Sequence, residues 1–215
     1  MHKLNYQSRN SELKGFASVE LTLVLPVLLL LMLAIYELTN IIQANSITIN
    51  LGREIANMTS RSPQSSTDDP DYIQDIMDIV ATTSGSLDFT TDGVIYVSKV
   101  VGQGTTANPY RAPYIQAQYK WNRSGINEPS ITWSNCNSWV SGECTSPNLD
   151  PSNENNRIVI SNFPVHGGEV AGYGSGEKQL SAGKVIYVVE VIYRYTPITT
   201  FFLKHSIMLS EETYM

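Results

Sequence analysis

From Leu21 to Ile35 every residue is apolar or Pro except Thr22. Widened to Phe16–Tyr36, the run makes a helix about 30 Å long at about 1.5 Å per residue, close to the thickness of a bilayer's hydrocarbon core. A helix buried in a soluble core is the competing reading, but such helices usually keep a polar stripe and none is visible here. After about residue 59 the composition changes to Ser, Thr, Asn, Gly and Pro with short Val, Ile and Tyr runs. The chain is therefore expected to divide between one membrane span and one domain in water.

Charge orients the span. Lys3, Arg9 and Lys14 stand against a single acid, Glu12, before the apolar run, and the positive-inside bias leaves that segment in the cytoplasm. The rest is then exported, and it is acidic, since the whole chain carries 14 basic against 20 acidic side chains. An acidic surface disfavours nucleic acid as a partner and favours solubility. Cys136 and Cys144 are the two cysteines. In an oxidising compartment an even pair is most simply a disulfide, with two reduced thiols as the alternative.

Glu20 sits at the mouth of the apolar run. A charge at the centre of a span costs about 2.5 to 3.5 kcal/mol on insertion scales, and less near its end. The carboxylate can rest at the headgroup boundary, where the first turn of a helix favours negative charge. A transport pathway is a poor explanation in a single span. A third explanation comes from the surrounding residues. Lys14-Gly15-Phe16-Ala17-Ser18-Val19-Glu20-Leu21 resembles the processing site of the type IV pilin superfamily. More narrowly, Gly15, Val19-Glu20, Leu25-Pro26, the apolar run, Glu37 and LGREIANMTSR resemble the TadE-like proteins, minor pilins or pseudopilins of bacterial tight adherence (Tad, or Flp) pili.

The resemblance, which covers about Lys14 to Arg61, implies the following. Gly15 ends a leader spanning residues 1–15, a prepilin peptidase cuts after it, and Phe16 becomes the new N-terminus. Glu20 then pairs with an N-terminal amine during assembly. In a low-dielectric helix bundle that pair offsets two costly isolated charges and fixes the axial register. Implied partners are the peptidase, other major and minor pilins, the inner-membrane assembly platform and membrane lipid. The implied location is the bacterial inner membrane, with the leader cytoplasmic and the C-terminal domain periplasmic or carried out in the pilus. TadE-like and TadF-like proteins are not distinguished by these residues.

One helix is expected over 16–58. Pro26 removes a backbone donor and is a candidate kink. Beyond Glu37, the residues Ile41, Ala44, Ile47, Leu51, Ile55 and Met58 recur at three- and four-residue steps as an amphipathic extension. For residues 59–215 a loop comes first, then a helix capped by Asp69 with Pro70 at its first position and Ile73, Ile76, Met77 and Val80 on one face. Strands are expected at 93–101, 114–121 and 184–196, with shorter ones at 131–133, 157–160 and 207–209. In the strongest, KVIYVVEVIYRYT, the odd-numbered residues from Val185 to Tyr195 form an apolar face for the long helix to cover. Residues 121–181 read as a long loop region holding the cysteines. The fold class is α+β: a long N-terminal transmembrane and amphipathic helix packed on a small antiparallel sheet, pilin-like.

Chemistry is sparse. There is no Gly-x-Ser-x-Gly or His-Glu-x-x-His motif, and His2, His166 and His205 are scattered. Gly172–Gly176 is not followed by the Lys-Ser/Thr of a phosphate loop. Asp150, Ser152, Glu154 and Asn156 alternate like calcium ligands but lack the Gly and closing Glu. No catalytic residue, metal or cofactor is expected. Besides a pilus component, the sequence allows an uncleaved membrane-anchored periplasmic binding or scaffold module.

Overall fold

A computed structural model describes residues 8–61, 69–103, 113–145, 158, 183–198 and 205–215, with side chains from Val19 onward. It forms two compact units, Met1–Gln43 with Thr196–Ser206, and Ala44–Tyr195 with Ile207–Met215. The helix α1, Ser8–Arg61, contributes residues to both. It is longer than the expected 16–58 at each end, and it contains Pro26 without interruption.

The first unit is dominated by α1. Its side chains from Val19 to Leu33 are exposed, Leu23 and Met32 to 70 %.

The second unit is an antiparallel six-stranded sheet with helices on one face. Its strands are β1 (Gly93–Val101), β2 (Tyr114–Trp121), β3 (Trp139–Val140), β4 (Glu143–Cys144), β5 (Val185–Tyr195) and β6 (Ile207–Tyr214), in the spatial order β3-β4-β2-β1-β5-β6. β1 and β5 are central and pair from Gly93↔Tyr193 to Val101↔Val185. Alternation along strands assigns Ile95, Val97, Tyr119, Trp121, Val189 and Val191 to one face, and Tyr96, Ser98, Gln118, Lys120 and Glu190 to the other. The register of β1 and β2 slips between Lys99 and Val100, which makes Ile115 the partner of Val100.

The first face takes the helices. From Ala44 onward, α1 buries Ala44, Thr48, Leu51, Ile55, Ala56 and Thr59, a stripe at helical spacing that includes two hydroxyls. Thr48 Oγ1 donates to the Ala44 carbonyl at 2.9 Å, so its burial leaves no donor stranded. Close approach is made possible by Gly52: a β-carbon there would stand 3.2 Å from Thr213 Oγ1 and 3.5 Å from Val191 Cγ2. The expected cover of the odd-numbered β5 face by the long helix is thus observed. The second helix, α2 (Pro70–Thr82), follows its sequence signals, with Asp69 accepting from the Asp71 N–H and Ile73, Ile76, Met77 and Val80 buried. A short α3 (Phe89–Asp92) leads into β1.

The opposite face is covered by a loop. Residues 122–138 and the β3–β4 hairpin lie over it, packing Ile126 and Trp139 on Val94, Tyr96 and Ile192, and Trp133 and Cys144 on Ile115. The hairpin turns through Ser141 and Gly142, whose φ angles of 49° and 77° are those of a tight primed turn. It lies within the long loop region expected over 121–181, where no strand was expected at 139–144. The strand expected at 131–133 is a bend instead, for a reason given below. Of 157–160 only Ile158 is described; it accepts from the Ile115 N–H at 3.0 Å without belonging to a strand. β6 is longer than the expected 207–209, because its polar half, SEET, continues the ladder with β5 up to Val188↔Tyr214. His166, Gly172–Gly176 and the residues 150–156 lie outside the described residues.

Cys136 and Cys144 are disulfide-bonded, with α-carbons 6.0 Å apart. Restricting so short a loop in the unfolded chain stabilises by about 2 to 3 kcal/mol. Replacing both cysteines with Ser is expected to lower the unfolding free energy of the full chain by that amount, measured by denaturation in detergent under non-reducing conditions. An unchanged midpoint would show that the bond adds nothing beyond the surrounding packing.

Candidate functional site

Two regions stand out, the exposed part of α1 and a polar clasp in the sheet domain. Gly15 and Phe16 lie in the helical backbone of α1. Glu20 is exposed on the same helix, beside Leu21 and Leu23, which are 65 % and 70 % exposed. Pro26 has no N–H to offer the carbonyl four residues before it. The run of exposed apolar side chains is interrupted at Glu37, which is only 2 % exposed. Its Oε1 accepts the Ile198 N–H at 3.2 Å, tying the 196–198 segment to α1 inside the first unit. Among the described residues, α1 is the one helix long and apolar enough to cross a membrane.

That surface is what a helix presents to lipid or to other helices. In water, so large an exposed apolar area is unfavourable at roughly 25 cal/mol per Å2. Residues 15–57 match the family model described as TadE-like protein. The TadE-like segment therefore covers the exposed apolar run, Glu20, Pro26, Glu37 and most of the stripe that packs on the sheet. The match bears out the resemblance read from Gly15, Glu20 and the residues around them, and associates the segment with Tad pilus proteins, a structural family. The chain has no match among curated proteins or among solved structures.

The sheet domain, beyond the TadE-like segment, carries a buried carboxylate, Glu190, on the even-numbered face of β5, to which the sequence alone assigned no role. Glu190 is fully buried on the loop-covered face. Its Oε1 accepts from Ser130 Oγ at 2.8 Å and the Thr132 N–H at 3.0 Å, and its Oε2 accepts from the Ile131 N–H at 2.6 Å. Residues 131–133 are therefore not a strand, because two of their amides are turned toward this acceptor. Ser130 Oγ also takes the Trp133 N–H, and Gln118 Nε2 reaches Ser98 Oγ, Ser130 Oγ and the Trp133 carbonyl. Nearby, burial pushes the Tyr96 hydroxyl up to about 12, helped by the negative charges of Glu190 and Glu128. It stays a neutral donor to the Glu128 carbonyl, at 2.5 Å.

These contacts join the loop layer to the sheet by hydrogen bonds and a disulfide. Among the described residues no group of His, Cys, Asp and Glu is arranged to hold a metal.

Proposed function

We propose that this protein is a minor pilin or pseudopilin of a Tad-type pilus, anchored in the bacterial inner membrane by α1 and serving pilus biogenesis and surface adherence. The observation that carries this reading is the coincidence of the TadE-like match with the exposed apolar length of α1. In this reading prepilin peptidase cuts between Gly15 and Phe16. The freed ammonium, four residues before Glu20, then neutralises that carboxylate in the same molecule or a neighbour. Desolvating either charge alone costs several kcal/mol, so helices stack at the axial offset that pairs them. The exposed Leu and Val side chains around Glu20 are exchanged from lipid to neighbouring pilin helices, with the assembly platform as the site of exchange. Residues 59–215 remain outside the membrane.

Mass spectrometry of the chain isolated from membranes tests the processing step. Chains beginning at Phe16 are expected; intact chains beginning at Met1 would replace this reading by the uncleaved membrane-anchored scaffold. Glu20→Ala is expected to insert normally and to lose about tenfold or more of its co-purification with other pilins, in line with breaking one desolvated charge pair. Equal recovery of partners with the variant would remove Glu20 from assembly.

A further inference from the structure

At the end of β2, the helix α2 and the β3–β4 hairpin leave an open cleft of about 500 Å3, lined by Gln74, Asp75, Asp78, Lys120, Arg123 and Trp139 among others. Most of its polar groups are already engaged. Asp78 Oδ1 accepts the Trp121 indole N–H at 3.0 Å and pairs with Arg123 Nη2 at 2.7 Å, and Gln74 Nε2 donates to the Lys120 carbonyl at 3.0 Å. The Lys120 ammonium differs. Its Nζ stands 5.6 Å from the ring centres of both Tyr96 and Trp139, and among the described residues those two rings are its partners. Burial holds its pKa below the usual lysine range. A carboxylate arriving there gains more than it would in open solvent. Asp75 lines the same cleft, exposed, with oxygens able to accept from hydroxyls.

We propose that this cleft binds a saccharide carrying a carboxylate, of the uronic acid kind, with the carboxylate on Lys120 Nζ, hydroxyls donating to Asp75, and an apolar sugar face against Trp139. One cation and one acid with no ion partner among the described residues suit a ligand with a single negative charge and several hydroxyls. An acidic peptide fits worse, because its further charges meet Asp75 and Asp78. The cleft is built from residues 74–142, so this proposal stands independently of how α1 is processed or assembled.

The test is titration of the full chain in detergent with a maltooligosaccharide ending in a single glucuronate, followed by calorimetry and tryptophan fluorescence. A neutral maltooligosaccharide and a polyglutamate peptide of similar length run in parallel. The glucuronate-ended oligosaccharide is expected to bind best. Lys120→Gln is expected to weaken it about tenfold or more, by loss of a charge-assisted contact. Asp75→Asn, at an exposed site where folding is not at stake, is expected to weaken it severalfold with an unchanged melting temperature. No binding, equal or tighter binding of either control, or full affinity in Asp75→Asn or in a folded Lys120→Gln would overturn the proposal.

Discussion

Glu190→Ala is expected to lower the unfolding free energy by about 3 to 5 kcal/mol, the usual cost of leaving buried donors without a charged acceptor. Three donors converge on that carboxylate: the Ser130 hydroxyl and the amides of Ile131 and Thr132. No backbone carbonyl replaces it, because this bend makes no ladder with the sheet. Trp133, whose N–H bonds Ser130 Oγ, is 8 % exposed, so loosening of the bend reports through its fluorescence. Glu190→Gln keeps an oxygen for Ser130 and Thr132 but turns an amide NH2 on the Ile131 N–H, and should cost roughly half as much. Denaturant titration of the full chain measures both. A loss under about 1 kcal/mol for the Ala variant would mean that water replaces the carboxylate without penalty, and that the loop is not held as described.

The second large effect is expected at Gly93, where α3 passes into β1. Its φ of −121° is ordinary extended backbone, so the constraint is spatial. A β-carbon there would come 2.1 Å from Phe89 Cδ1. Phe89 is 1 % exposed, and its ring centre lies 5.0 Å from that of Tyr193. Gly93→Ala must therefore displace a core ring, at about 2 to 4 kcal/mol from overpacking and lost burial. Removing the ring removes the clash. In a Phe89→Ala background the same substitution should cost under about 1 kcal/mol, a coupling that a double-mutant cycle reads directly. Additive costs would show that the ring is not what excludes a side chain at Gly93.

Much of the architecture was legible because local and tertiary preferences agree. β1 and β2 combine β-branched and aromatic residues and lie where expected, and α2 carries its own cap in Asp69 and Pro70. What stayed hidden depends on partners distant in sequence. Ile131–Trp133 has strand composition, yet its amides serve a carboxylate about 60 positions away, and Ile131 itself is 60 % exposed. A Glu amid Val and Ile signals that a charge is being buried, but a sequence does not say which amides meet it. The β3–β4 hairpin has two residues per strand, too few for any alternation to show. The candidate site divides in the same way. Gly15, Phe16, Glu20 and Pro26 are neighbours along the chain and readable as a motif, and the disulfide was the simplest use of two cysteines in a segment expected to be exported. Lys120 shares a cleft with Asp75 only after a helix and two strands have come together.

In the proposed topology, the ladder between β1 and β5 sets an order of events during export. Arg194 bonds Asp92 across 102 positions, and every rung of that ladder spans a comparable distance in sequence. A polypeptide threaded outward from its anchored helix delivers β1 and β2 early and β5 late. Until then one side of β1, a row of Val and Ile among free amides, has nothing to dock on. Such long-range closure is slow and leaves a sticky intermediate, so the nascent domain is expected to need shielding on the far side of the membrane until its last strands emerge.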